Sequence, residues 1–161
     1  MILQNACAIV GSRRYYANAL LIGVSASNIK KLQQVQNTLV HIVTRQFSYA
    51  GTSQSFATLH WFIFKWRIDF KVATISYKLL LTRQSSSLAS SISRHAPGHS
   101  LRSSDSGSLY VPRTKLVTGE HALRSSASSI WNCLPADIRN SGSMQLFRNK
   151  LKTHFFHLAF N

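Results

Sequence analysis

Acidic residues are scarce in this chain of 161 residues. Four carboxylate side chains stand against 19 lysines and arginines, which gives a formal net charge of +15 and a sequence pI near 10.8. The four are Asp69, Asp105, Glu120 and Asp137. Self-repulsion on this scale favours an anionic partner. The candidates are a nucleic-acid backbone, an anionic membrane surface and an acidic protein, and nucleic acid is the commonest explanation for so basic a domain.

Cysteine is also rare, with Cys7 and Cys133 the two in the chain. Two cysteines without CxxC spacing argue against a disulfide framework and a structural zinc site. We therefore expect an intracellular protein, nuclear or cytoplasmic. No apolar run reaches about 18 residues, so no membrane span is expected. Arg13 and Arg14 follow the N-terminal apolar run instead of preceding it, the reverse of a secretory signal peptide.

The carboxylates are too widely separated in sequence to mark a metal-dependent active site. Phosphoryl and nucleotidyl transfer need clustered carboxylates that hold divalent cations, and no DD or DxD pair occurs. A GxxxxGK[ST] phosphate loop and a GxSxG elbow are also missing. His154 and His157 have a spacing that suits one metal on a helix, but a polar helix surface is the stronger interpretation. We predict no catalytic residue, metal, cofactor or small-molecule substrate.

Helical periodicity and 45% hydrophobic residues predict a core in one ordinary domain or two very small ones. Composition divides the chain into a helical unit at residues 15–83, a Ser-rich linker at 84–108 and a helix-rich C-terminal unit at 109–160. The linker has too few apolar groups to offset the entropy of ordering it. Strand is expected only near Leu109 to Val117, so the predicted fold class is mainly α.

The segment NIKKLQQVQNTLVHIVT is the clearest predicted helix, because its apolar positions recur at steps of three and four. They are Ile29, Leu32, Val35, Leu39 and Ile42. Gly23 is expected to end the preceding helix, and Ser25, Ser27 or Asn28 to cap this one. A loop is predicted at SYAGTSQS. Ser143 is expected to cap the closing helix, which has one apolar face formed by Met144, Phe147, Leu151, Phe155 and Leu158.

The segment RIDFKVATISYKLLL predicts another long helix, with a basic stripe along it. Its buried face is expected to hold Ile68, Val72, Ile75 and Leu79. Its narrow polar face carries Arg67, Lys71, Thr74 and Lys78, with Asp69 off to one side. A normal solvated face mixes both signs of charge. The stripe therefore indicates a contact with something acidic.

Six basic residues are the candidate phosphate contacts: Lys30, Lys31, Lys65, Arg67, Lys71 and Lys78. Trp66 lies beside Lys65 and offers a flat ring that can pack against a sugar or base. For each large aromatic residue of this region taken singly, a place in the core is the stronger interpretation. These residues are Trp61, Phe62, Phe64 and Trp66.

Seven blocks of the sequence, taken in order, resemble the C-terminal part of the reverse transcriptases encoded by LINE-type retrotransposons, which lack long terminal repeats. The blocks are NALLIGVSASNIKKLQQVQNTLVHIVT, LHW, RIDFKVATISYKLL, LRSSDS, VPRTKL, IWNCLPADIR and FRNKLKTHFFHLAF, and they cover residues 18–160. The resemblance implies that residues 18–81 correspond to the region after the palm. That region includes the thumb, whose helices grip the template-primer duplex. The residues after the linker then correspond to the family's C-terminal tail.

In that family the palm, with its paired metal-binding aspartates, lies upstream of these blocks, and nothing in this chain matches it. The resemblance therefore implies a non-catalytic C-terminal fragment of an RNA-directed DNA polymerase. Its implied partners are RNA or an RNA–DNA duplex and the missing palm and fingers domains.

This chain departs from the family where prolines usually mark turns. The family has a Leu-Pro-Val turn after LHW, where this chain reads FIF at residues 62–64. A Pro-rich, Tyr-containing segment is replaced by SSSLASS, and SSASSIWN lacks the proline common before LWN. Because proline fixes the backbone at a turn, these losses suit a decayed or truncated copy of the element.

Three other functions stay open on the residues alone. The first is a non-functional remnant or protein-interaction module, whose exposed apolar faces once packed on the missing polymerase domains. The second is a membrane-surface peptide formed by the basic amphipathic helix at residues 144–160. The third is an independent small RNA-binding protein.

Overall fold

The computed structural model describes residues 12, 18–45, 52–95, 107–113 and 123–160. Its helices are a 3-10 helix (Asn18–Leu21), α1 (Ala26–Thr44), α2 (Thr52–Thr58), α3 (Phe64–Thr82), α4 (Ser86–Ala89), α5 (Leu123–Asn132), α6 (Ala136–Arg139) and α7 (Met144–Phe160). Within these ranges the one strand-like feature is an antiparallel bridge between Arg94 and Leu109. The prediction of a mainly α fold with little strand is confirmed.

The chain divides into two compact units. The first ends at Ile68 and includes the chain from His154 onward, and the second is Asp69–Thr153. Helices α3 and α7 therefore contribute residues to both units. Packing defines the bounds of these two units, whereas the predicted segments 15–83, 84–108 and 109–160 were defined by composition. The predicted division into three segments therefore stays a prediction.

Helix α1 begins where the turn residues predict. Gly23 has a φ of 78°, in the left-handed region that favours glycine, and it follows the 3-10 helix. Ser25 is the N-cap, and its carbonyl oxygen accepts hydrogen bonds from the amides of Asn28 (3.0 Å) and Ile29 (3.1 Å). Its hydroxyl pairs with the Ser27 hydroxyl at 3.0 Å. Of the three predicted caps, Ser25 occupies the N-cap position, and its side chain makes no capping hydrogen bond.

The buried side of α1 differs from the apolar stripe that the spacing predicts. Val35 and Ile42 belong to that stripe, but they are 47% and 39% exposed. Gln36 is fully buried instead, beside buried Leu39 and Val40. A buried amide is tolerated when it is hydrogen-bonded, and Gln36 Nε2 donates to the Phe62 carbonyl at 2.7 Å. Gln36 thus joins α1 to the loop before α3 through its Nε2, while its Oε1 is buried without a hydrogen-bond partner among the described residues.

The same loop receives a second contact from α1, at the point where α3 begins. The first amides of a helix have no acceptor within the helix. Here the Phe64 amide donates to Gln33 Oε1 at 2.7 Å. Two glutamine side chains of α1, Gln33 and Gln36, thus contact the turn at residues 62–64.

Helix α2 starts at Thr52, so the predicted loop is wrong for its second half, while residues 48–51 lie outside the described residues. The helix packs against α1 and buries Phe56, which is 2% exposed. It ends in a left-handed turn at His60, where φ is 53°. The Trp61 amide donates to the Phe56 carbonyl at 2.9 Å and the His60 amide to that of Ala57 at 3.0 Å, the hydrogen bonds of a Schellman motif.

Three aromatic residues form the centre of the second unit: Tyr77 of α3, Trp131 of α5 and Phe147 of α7, all buried. The ring centroids lie 4.1 Å apart for Tyr77 and Phe147, 5.8 Å for Trp131 and Phe147, and 6.3 Å for Tyr77 and Trp131. The Tyr77 hydroxyl donates to the Ser141 carbonyl. The aromatic contacts and this hydrogen bond join α3 to α5 and to the loop before α7.

Trp131 and Asn132 also hold the segment at residues 107–109. Trp131 Nε1 donates to the Gly107 carbonyl at 2.9 Å. Asn132 Oδ1 accepts from the Leu109 amide at 2.8 Å, and its Nδ2 donates to the Leu109 carbonyl at 2.9 Å. The amide side chain thereby occupies the place of a neighbouring strand. The predicted strand is reduced to a single bridge here, and its residues 114–117 lie outside the described residues.

Helix α7 begins at Met144, directly after the predicted cap, Ser143. The Ser143 hydroxyl accepts from the Leu146 amide at 3.2 Å, and its carbonyl accepts from the Phe147 amide at 2.9 Å. Three of the predicted apolar positions are buried, namely Phe147, Leu151 and Phe155. Leu158 is 50% exposed, so the buried face ends before the helix does.

Candidate nucleic-acid interface

In the first unit, Lys30 and Lys31 are exposed near the start of α1. This helix has no acidic residue in its first turn, and neither lysine side chain has a hydrogen bond or ion pair with another described residue. Cations near a helix N-terminus oppose the helix dipole and contribute no stability there. The two lysines therefore do not stabilise α1, which is consistent with a role in binding an anion.

Lys65 lies in the first turn of α3, beside an aromatic ring. Its side chain is exposed, and Nζ lies 5.2 Å from the ring centroid of Trp66, a cation–π distance. Trp66 is half-buried, and its ring lies 5.4 Å from that of Phe155. One part of the indole is therefore used in packing, while the lysine next to it stays accessible.

Arg67 is the one predicted contact that is not fully exposed. It is half-buried, and its Nε donates to the Phe62 carbonyl at 3.4 Å, while its own carbonyl accepts from Asn18 Nδ2 at 3.4 Å. The side chain thus helps to hold the turn before α3. A substitution of Arg67 would change folding as well as charge.

In the second unit, Lys71 and Lys78 are exposed on α3, two turns apart, which places them about 10 Å apart along the helix axis. Neither side chain has a hydrogen bond or ion pair with another residue that the structure describes. Asp69, half-buried, lies about 160–180° around the axis from both lysines by helix geometry. Thr74, between them, is half-buried and its hydroxyl donates to the Phe70 carbonyl at 2.7 Å.

The predicted buried face of α3 agrees with the structure: Ile68, Val72 and Leu79 are buried and Ile75 is half-buried. The aromatic assignments agree in part. Phe62 and Phe64 are buried, whereas Trp61 and Trp66 are half-buried.

Other exposed cations lie outside the six predicted residues. In the second unit they are Arg83, Arg94, Arg113, Arg124, Arg148 and Lys152. Lys150 forms an ion pair with Asp137, which is itself exposed, at a distance of 3.7 Å. The positive charge of the second unit is therefore mostly unpaired and is not confined to α3.

No group of three or more His, Cys, Asp or Glu side chains suited to a metal occurs among the described residues. His154 is half-buried with its ring 5.6 Å from that of Phe155, and His157 is exposed. Cys7, Asp105 and Glu120 lie outside the described residues.

No family model, curated protein or solved structure matches this chain. Within the part of the chain that the structure describes, none of the helices has the length and apolar character needed to cross a membrane. The resemblance to LINE-type reverse transcriptases therefore stays a prediction. The evidence for a function comes from the exposed basic residues of α1 and α3.

Proposed function

We propose that this chain binds nucleic acid through the lysines of α1 and α3. The observation that carries the proposal is their exposure: Lys30, Lys31, Lys65, Lys71 and Lys78 all present their side chains to solvent. Phosphate contacts of this kind supply affinity without sequence readout. Arg67 supports the start of α3 and adds positive charge there.

The proposal includes an origin for the chain. We propose a C-terminal fragment of the RNA-directed DNA polymerase of a LINE-type retrotransposon, in which α3 corresponds to a thumb helix and grips the template-primer duplex. In this proposal the fragment is not an enzyme on its own, because the metal-binding aspartates belong to a palm that it lacks. RNA and the RNA–DNA duplex are the expected ligands, and the palm and fingers are the expected protein partners.

The salt dependence of binding tests the ionic part of this proposal. If about four to six phosphates are engaged, the logarithm of the association constant for an RNA–DNA duplex should fall linearly with the logarithm of salt concentration, with a slope of about −3.5 to −5.5. Fluorescence anisotropy of a labelled duplex between about 50 and 200 mM salt measures this slope. A flat response would rule out binding through phosphate contacts.

A second candidate function is a protein-interaction module. In this proposal its exposed apolar side chains once packed against other domains of the polymerase. Exposed apolar side chains favour it: Val35 and Ile42 on α1, and Leu81 at the end of α3, which is 59% exposed. An isolated chain with such faces should self-associate. Sedimentation velocity at increasing concentration distinguishes the outcomes, since a monodisperse monomer would count against this candidate and leave the first untouched.

A further inference from the structure

We propose that the second unit contains a binding pocket for a small phosphate monoester. The cavity measures about 520 Å³ and lies where the end of α3 meets α4 and the chain that follows it. Its lining residues are Leu79, Leu80, Arg83, Ala89, Ser90, Ile92, Ser93 and Arg94. Small-molecule sites usually measure about 300–1,000 Å³, so the cavity is large enough for a ligand of nucleotide size.

Two arginines are among the residues that line this cavity. Arg83 and Arg94 are both exposed, and neither side chain has a hydrogen bond or ion pair with another described residue. None of the lining residues is acidic. Two like charges in one cavity repel each other unless an anion is bound between them. Arginine presents its donors in a planar fork that matches the oxygens of carboxylates and phosphates. A phosphate monoester has three acceptor oxygens and a charge of about −1.5 to −2, so it suits a pair of arginines better than a single carboxylate does.

Apart from the exposed Ser90 and Ser93, the rest of the lining is apolar and partly buried. Leu79 and Ile92 are buried, and Leu80 and Ala89 are half-buried. A cavity with an apolar wall and two placed cations is suited to a ligand with an anionic and an apolar end. Inorganic phosphate alone would leave the apolar wall in water.

The backbone around the cavity holds both arginines in place. Arg83 has a φ of 48° and Ser85 a φ of 69°, in the left-handed region that non-glycine residues rarely adopt. Such conformations persist only where the surrounding structure imposes them, and they cluster at ligand sites. Arg94 is fixed from the other side by its bridge to Leu109.

This pocket is distinct from the lysines of α3. Leu79 and Leu80 lie about 100° and 200° around the helix axis from Lys78. Pocket and lysines therefore occupy different sides of the helix, and the two proposals can fail independently. The shared ligand chemistry is a phosphate monoester attached to an apolar group, from a free mononucleotide or from the phosphorylated end of a nucleic-acid strand.

Calorimetric titration of the full chain with adenosine 5′-monophosphate tests the pocket. We expect one bound molecule per chain, with adenosine and inorganic phosphate each weaker by about tenfold or more, since charged hydrogen bonds and apolar contact are both required. Arg83→Gln and Arg94→Gln should each weaken binding about tenfold. Arg124→Gln is the matched control, because Arg124 is equally exposed but does not line the cavity.

Equal binding of adenosine and its monophosphate, or equal loss from Arg124→Gln and Arg94→Gln, would overturn the proposal. Lys71→Gln with Lys78→Gln should leave nucleotide binding unchanged, which separates this test from that of the proposed function. A single strand with a 5′-phosphate, compared with the same strand ending in a 5′-hydroxyl, then distinguishes the sources. Tighter binding of the phosphorylated strand assigns the pocket to strand ends, and equal binding assigns it to free mononucleotides.

Discussion

Trp131→Ala is expected to lower the free energy of unfolding by about 3–5 kcal/mol, the range for truncating a large aromatic residue in a core. The total stability of a small domain is about 5–15 kcal/mol. The second unit should therefore lose most of its stability, measured as a lower midpoint in urea denaturation followed by circular dichroism.

The size of this effect follows from three roles of one side chain. Trp131 is 3% exposed, and its ring contacts those of Tyr77 and Phe147. Its Nε1 donates to the Gly107 carbonyl at 2.9 Å. Alanine would leave a cavity, remove two aromatic contacts and leave that carbonyl without its donor.

Two controls separate these roles. Trp131→Phe keeps an aromatic ring and loses the hydrogen bond, so it should cost less, about 1–2 kcal/mol. Trp66→Ala makes the same truncation at a half-buried position of the first unit, and a loss smaller than that of Trp131→Ala is expected. Equal losses from Trp66→Ala and Trp131→Ala would contradict the account of the second unit.

Local signals predict where helices begin and which side of α3 is buried. Gly23 and Ser25 mark the start of α1, and Ser143 marks the start of α7. These signals are visible in the sequence because a turn with positive φ and a helix N-cap each depend on one residue and its near neighbours. Periodicity places Ile68 and Val72 on the buried side of α3 for a similar reason.

Contacts between distant parts of the chain are not visible in such signals. Gln36 is buried because a carbonyl 26 residues away accepts its hydrogen bond, and spacing alone favours Val35 in its place. The Asn132 side chain pairs with the Leu109 backbone as a neighbouring strand would. Secondary-structure propensities do not predict this contact. The spacing of hydrophobic residues predicts that a helix has an apolar face. Which polar residue can be buried depends on the hydrogen-bond partner that the rest of the fold supplies.

The two candidate sites also differ in whether the sequence alone predicts them. Lys71 and Lys78 are found by helical spacing, because both lie on one side of a regular helix. Arg83 lies just after the end of α3 and Arg94 in a Ser-rich segment, so no period relates them. Only the folded second unit brings both to one cavity.

Replacement of Lys71 and Lys78 together by glutamine is expected to weaken duplex binding by about tenfold to a hundredfold at about 0.1 M salt, because two phosphate contacts no longer release counterions. Both side chains are exposed and neither is tied to a described residue, so helicity and stability should not change. Arg148→Gln with Lys152→Gln is the matched control. These residues are also an exposed pair on a long helix of the second unit, and their loss removes the same charge.

The most direct test of the central claim is the salt dependence of RNA–DNA duplex binding for the wild type, the α3 pair and the α7 pair, measured side by side. The account predicts that the slope becomes shallower by about 1.8 for the Lys71 and Lys78 variant. The slope of the Arg148 and Lys152 variant should stay at the wild-type value. Equal changes in both variants would show that net charge, and not a site on α3, binds the nucleic acid.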